Sequence, residues 1–493
     1  MTHRRIGVFT VAAKNYLPFV RVLFDSLRES HPEYERYLCL ADRVDGYFEP
    51  SREAFKTIPA EELQIEHFED MTIRYGILEF STAVKPFMFR WMFEHTDLDS
   101  VIYLDPDIFV YSRFEQLEKI LRENVSVVLT PHTTEPLEDD KTPSDYNLLQ
   151  SGGFNLGFAA INRDTEAERF IGWWGRRLQT HCFVDFAKNT FTDQKWCDLA
   201  PCLLDRLRVF KDKGYNVAYW NLAVREIAVR RHHWEIGGAP LVFFHFSGIS
   251  LSDPEVISRH QNRYRWSQLP HLRSLFSDYR QRVLGKGWEE SRSWPYAYSQ
   301  TAEGWSVPPV VRRLFREQFP SPTPLRKHGV GAMLQAMCSE QSNAIPHDAA
   351  APISKLMYYV FESDSEVRRA FCFGTRSGRV AFRRWFEANA SAYCHLPPTV
   401  AQERGSAARP ETDATNGGRV SAGVGRAHSC GYPSGSDDAT GSGRGWSNSD
   451  FVAVVQSVWR ELDFKGKRVY GPIMLKMLAE AVGHGRVCGL NGS

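Results

Sequence analysis

The chain has 493 residues, 43% of them hydrophobic and 13% aromatic, enough for a large buried core and for about three average domains. Lys and Arg total 60 against 59 Asp and Glu, a balance that excludes a dedicated nucleic-acid binder, which carries a clear basic excess. Nine cysteines, an odd count with no C-x-x-C pair, indicate neither a disulfide framework nor a zinc site, and a reducing compartment, the cytoplasm, is the simplest expectation.

The first nineteen residues, MTHRRIGVFTVAAKNYLPF, place two arginines before an apolar run, as a signal peptide does. That run extends only from Ile6 to Ala13 and meets Lys14 and Asn15, so a first β-strand is expected instead. No window approaches the roughly 18 to 20 uncharged apolar residues of a membrane helix, so a soluble chain, at most peripheral to a membrane, is expected. Strand-like runs then alternate with helical periodicity. IGVFTVA, RYLCLAD, SVIYLD, VSVVLT and GFNLGFAAIN read as strands, and LPFVRVLFDSLRES and TAVKPFMFRWMFEH as helices. Thr165-Glu-Ala-Glu168 reads as a capping box ahead of RFIGWWGRRL. Alternation of this kind predicts an α/β layer with a largely parallel sheet over residues 1–265. Residues 266–400 read as a mainly helical region. Residues 401–449, rich in Gly, Ser, Ala and Thr, read as a disordered linker, and 450–493 as a short helical unit.

The segment Val101 to Val110, VIYLDPDIFV, ends an apolar strand with Asp105 and Asp107 around Pro106. Proline suits a turn and ends strand pairing, so both carboxylates converge at the strand's carboxyl end. Two bare carboxylates about 4 Å apart repel by roughly 4 kcal/mol at an effective dielectric near 20, which a divalent cation removes. An ordinary Asp-Pro turn accounts for the same residues taken alone. Asp97 and Asp99 have the same spacing but precede the strand, whereas ligands in open α/β sheets bind beyond strand carboxyl ends. They are expected to be solvated.

VIYLDPDIFV resembles the DxD segment of GT-A-fold glycosyltransferases, in particular family 8, the group of glycogenin and the lipopolysaccharide galactosyltransferases. Further stretches resemble that family in the same order: VFTVAAKNYLPFVRVLFDSL, FNLGFAAIN, TDQKW and FFHFSG. The resemblance covers roughly residues 5–265. It implies a GT-A domain that binds Mn²⁺ or Mg²⁺ through Asp105, Asp107 and His245. It also implies transfer of a sugar from a nucleotide-sugar donor, a UDP-sugar above all, to a glycan or lipid-linked acceptor with retention of configuration. Thr10, Ala12 and Tyr16 would contact the nucleotide, with Asp42 a weaker candidate for the same cleft. Lys85 and Asn155 would contact the donor phosphates or sugar, and Gly248 belongs to the H-x-S/T-G element after His245. Asp193 would bind donor hydroxyls and Gln194 would lie beside the anomeric carbon. The acceptor class allows a peripheral position at a membrane's inner face.

Each residue also has a plainer reading. His245 suits a satisfied core histidine, Asp193 a helix N-cap, Asn155 a loop-backbone partner, and Lys85 a solvated helix-start lysine. His232 and His233 read as a surface turn, and Glu138, Asp139 and Asp140 as a mobile acidic loop. One departure stands out: the lysine of the family's K-P-W run is missing, and Arg259, His260 or Arg263 would have to replace it. Two other classes compete. One is a haloacid-dehalogenase-like phosphotransferase using Asp105 as nucleophile, although Ile108 stands where that class has Thr or Val. The other is a non-catalytic sugar-binding scaffold.

Overall fold

The structure, a computed structural model, describes residues 4–230, 233–301, 306–322, 341–345, 348, 351–363 and 365–393. The expected linker 401–449, the unit 450–493 and His232 lie outside the described residues. The chain forms two compact units, residues 1–340 and 341–493.

The first unit is built on a seven-stranded sheet. Its strands are β1 (Ile6–Ala12), β2 (Glu35–Leu40), β3 (Lys56–Pro59), β4 (Ser100–Leu104), β6 (Val127–Pro131), β7 (Phe154–Asn162) and the edge strand Leu207–Val209; a short β5 (Ile108–Val110) lies outside it. Across the sheet the order is 3-2-1-4-7-6, closed by Leu207–Val209. All neighbours run parallel except β7, which is antiparallel to both β4 and β6. This is the mostly parallel, helix-flanked α/β architecture expected of a GT-A domain. Helices cover both faces, which is why β1 and β4 are buried at every residue and read as continuous apolar runs rather than alternating ones. Phe9, Val11, Val101 and Tyr103 pack beneath the helices Lys85–His95 and Thr165–His181. Ile6, Val8, Ile102 and Leu104 face the helices Leu17–Ser30 and Glu115–Leu121.

Two local expectations shift. The cap of the helix Thr165–His181 is Asp164, whose carboxylate accepts from the N–H groups of Glu166 and Ala167, so Thr165 is the first helical residue instead. The helix expected over 82–95 is two helices, Ile77–Ala83 and Lys85–His95, joined at Val84. Pro86 occupies the second position of the latter, where its missing N–H has no helical acceptor to lose.

Chain beyond residue 265 joins the same unit. The helix Arg273–Gly285 buries Leu275, Phe276 and Tyr279 against Phe19, Phe244 and Phe246, with Phe246 and Tyr279 stacked at 3.8 Å. Buried Arg312, from the helix Pro309–Gln318, donates to the carbonyls of Thr72, Ile73, Tyr75 and Tyr298. The second unit is mainly helical in its described part, with helices Lys355–Ser363, Ser365–Ala370 and Arg376–Tyr393 around Phe361, Phe373, Phe382 and Phe386. No described helix is long and apolar enough to cross a membrane.

Arg312→Met leaves four buried carbonyls without their donor. A loss on the order of 3 kcal/mol of stability is expected. Urea unfolding of the full chain, followed by circular dichroism, measures it.

Candidate active site

The acidic pair sits where two sheets meet. β4 ends at Leu104, the turn carries Asp105, Pro106 and Asp107, and β5 starts at Ile108. β5 leaves the main sheet and pairs antiparallel with the strand Phe243–His245, in a register that sets His245 opposite Ile108. That register brings the histidine beside the turn. Its Nε2 lies 3.0 Å from Asp107 Oδ1 and 3.5 Å from Asp105 Oδ2. One ligand atom from each of the three residues falls within 4.8 Å of the others, the only such His/Cys/Asp/Glu group among the described residues. His245 is 3% exposed, while Asp105 and Asp107 keep 27% and 19% of their side chains open. Burial opposes a charge on the imidazole, but Asp107 and then Asp105 outweigh it and raise its pKa. The imidazole is thus buried, with both carboxylates on its Nε2 side. Asp97 and Asp99 lie at the opposite end of β4, bound to Arg5, with Asp97 93% exposed.

Lys85 is buried rather than solvated. It forms an ion pair with Asp193 at 2.9 Å, lies 3.7 Å from Asp105 Oδ1, and donates to the Leu156 carbonyl at 2.9 Å. Its Nζ sits 4.3 Å above the Tyr103 ring, whose hydroxyl donates to Asp105. Burial would discharge the amine, yet Asp193 and Asp105 raise its pKa above the ordinary lysine value. Asp193 precedes the 3₁₀ turn Gln194–Leu199, but its carboxylate makes no cap hydrogen bond. Burial raises its pKa against the pull of Lys85. Gln194 is buried beside it and donates to the Ser151 carbonyl at 2.8 Å.

Asn155 and Gly157 form a second layer. Asn155 Oδ1 accepts from Gly157 N–H at 3.1 Å and from Asn216 Nδ2 at 3.0 Å, and its Nδ2 lies 3.2 Å from His132 Nε2. Burial holds the His132 pKa down at about 4, so that ring is neutral. Gly157 accepts from Asp105 N–H at 2.8 Å, and a Cβ there would lie 2.3 Å from His245 Cε1. The glycine leaves the space that the imidazole fills.

At the mouth, Tyr16 stacks on Phe19 at 4.7 Å, and its pKa is raised by burial and by Asp107 and lowered by Arg259. Gly248 has φ +73°, and a Cβ there would lie 2.5 Å from His260. Arg259 and His260 both reach solvent, but neighbouring groups partly desolvate the His260 ring; that desolvation and Arg259 lower its pKa, while Asp107 raises it. Arg263 is committed elsewhere, donating to Asp139 at 2.8 and 2.7 Å and to the Pro143 carbonyl. Asp139 is thus clamped rather than part of a free acidic loop. Thr10 is buried with a hydroxyl that has no hydrogen-bond partner among the described residues, and Ala12 closes β1 with its carbonyl bound to Ala41 N–H. Asp42 is saturated, accepting from Lys14, Arg43 N–H and Ala297 N–H. Sequence reading passed over Tyr103, His132 and Asn216. Each is a single polar residue in an apolar run or loop, with no spacing signal.

No family model matches the chain. It is 25% identical over 255 residues to the uncharacterized protein YfnD of Bacillus subtilis strain 168, which covers 49% of this chain and 77% of that one. Among solved structures it is similar to the galactosyltransferase LgtC in complex with donor and acceptor sugar analogs, at 14% identity and TM-score 0.34, over 56% of this chain and 95% of LgtC. It is also similar to the glycosyltransferase GlyE of Streptococcus pneumoniae TIGR4, at 16% identity and TM-score 0.33, over 61% of this chain and 67% of GlyE.

Gly157→Ala drives a methyl group into the His245 ring. Mn²⁺ affinity at least tenfold weaker than that of the native chain is expected by isothermal titration, with thermal unfolding checking that the sheet survives.

Proposed function

We propose that the chain is a metal-dependent glycosyltransferase that moves a sugar from a nucleotide-sugar, a UDP-sugar in the first place, to a hydroxyl of a glycan or lipid-linked acceptor. The observation that carries this reading is the convergence of Asp105, Asp107 and His245 beyond the carboxyl end of β4, beside the buried Lys85–Asp193 pair. Two carboxylates and an imidazole suit Mn²⁺ or Mg²⁺, and both carboxylates remain open on one side. Such an ion supplies Lewis acidity that neutralises charge on the departing diphosphate.

The chain's own residues do the remaining work. Asp193, held by Lys85, would accept from donor hydroxyls, and Lys85 keeps the acidic groups from repelling one another. Gln194, anchored on Ser151, would present its carboxamide beside the anomeric carbon. No carboxylate in the set is free to act as a strong nucleophile, since Asp193 is paired and Asp105 and Asp107 face the cation site. Retention is what the family resemblance implies, and front-face attack is the form of it that needs no such nucleophile. The anomeric carbon–phosphate oxygen bond breaks, the acceptor oxygen bonds the same face, and its proton passes to the departing phosphate oxygen.

Thr10, Ala12 and Tyr16 are proposed to line the nucleotide, with Thr10 offering an unpartnered hydroxyl. Asp42 is proposed to hold that wall in place through Lys14. With Arg263 clamped to Asp139, Arg259 is the cation proposed to meet the diphosphate, with Gly248 and His260 shaping the segment that presents it. A cytoplasmic enzyme working on acceptors at a membrane face fits this chemistry.

Mass spectrometry of reactions with a panel of nucleotide-sugars, with and without Mn²⁺, is the test. Mn²⁺-dependent release of sugar from at least one donor is expected, and Asp107→Asn should reduce it at least a hundredfold while the thermal midpoint holds. Hydrolysis of a simple phosphomonoester with no turnover of any nucleotide-sugar would overturn the reading. Arg259→Ala should raise the donor KM about tenfold with little change in kcat, the mark of lost ground-state binding.

A further inference from the structure

We propose that Asn216 is a positioning residue that keeps a proton on Nδ1 of His245, so that Nε2 is the nitrogen offered to a cation held by the acidic pair. The inference rests on the metal reading above and extends it to a residue in the loop segment KGYNVAYW, which no motif marks.

The argument starts from a backbone N–H, whose direction admits no choice. Gly157 N–H donates to the side chain of Asn155, so the atom it meets must be the amide oxygen. That oxygen also meets the Asn216 carboxamide at 3.0 Å, and a carbonyl oxygen accepts only from a donor. The Asn216 atom there is therefore its NH₂, which also donates to Thr130 Oγ1 at 2.8 Å. Both amide hydrogens are thereby used, and Asn216 Oδ1 is left facing His245 Nδ1 at 3.3 Å. An amide oxygen only accepts, so Nδ1 carries a proton, and Nε2, the nitrogen facing Asp105 and Asp107, is the one left to meet a cation.

The backbone supports the same arrangement. Asn216 is fully buried with φ +51°, in the left-handed region that asparagine tolerates better than most residues. The adjacent Val217 carbonyl accepts from His245 N–H at 2.7 Å, so the two residues are stitched together through main chain and side chain. Trp220 meets the imidazole edge-on at 5.1 Å. Hydrogen bonds to the distal nitrogen of a ligating histidine typically carry 10–100-fold in metal affinity.

Asn216→Gly removes the carboxamide while accepting the left-handed backbone, and Asn216→Asp keeps an oxygen that accepts from Nδ1–H. Mn²⁺ binding to the full-length chain without nucleotide, titrated by electron paramagnetic resonance, is expected to weaken roughly 10–100-fold in Asn216→Gly and to return to within about threefold of native in Asn216→Asp. Circular dichroism melts check that both variants fold. In the diamagnetic Cd²⁺ complex with ¹⁵N-labelled histidine, long-range ¹H–¹⁵N spectra should show Nδ1-protonated His245 in the native chain. That single form should be lost in Asn216→Gly. Native-like Mn²⁺ affinity in folded Asn216→Gly, or equal weakness in the glycine and aspartate variants, would overturn the proposal alone. Native-like affinity in His245→Ala would overturn the metal reading and this proposal with it.

Discussion

The electrostatic problem at the end of β4 governs the rest of the site. Asp105 and Asp107 are carried one residue apart by a proline turn, and nothing in the main sheet separates their charges. Three groups answer that repulsion from different elements. His245 arrives on a strand that pairs with β5, Lys85 opens a helix on one face of the sheet, and the Tyr103 hydroxyl rises from β4 itself. Each is buried, so each charge it stabilises acts in a medium of low effective dielectric, where pairing matters far more than in water.

The antiparallel strand β7 is the mechanical partner of this arrangement. Its register against β4 puts Gly157 opposite Asp105 and Asn155 two residues away. From one strand the glycine gives the imidazole room and the asparagine starts the hydrogen-bond chain that runs through Asn216. FNLG therefore acts as a support for the histidine. A run of four residues has two structural duties because alternate side chains on a strand point to the same face.

Much of this was legible in the sequence. The strands β1, β4 and β7, the acidic pair and the histidine all carry either a periodic signal or a motif. Position on the strand separated Asp105 and Asp107 from Asp97 and Asp99, and the structure keeps them at opposite ends of β4. What escaped was set by tertiary register. Asn216 is an isolated polar residue between apolar ones, and its side-chain partners lie 29, 61 and 86 positions away in the chain. That Arg263 is held by Asp139, 124 residues away, was equally hidden. The capping box failed for a local reason. Asp164 is the stronger acceptor one residue earlier, and a helix takes the better cap.

Lys85 has a consequence for how such a site diversifies. Its single charge is shared between Asp105 and Asp193. On the function proposed above, Asp105 faces the cation and Asp193 the sugar, so a substitution at Asp193 that suited a different sugar would release that charge toward Asp105 and alter the hold on the cation. On that reading sugar preference and ion preference would be coupled, and new specificities would arise through paired changes or from residues outside the lysine's reach.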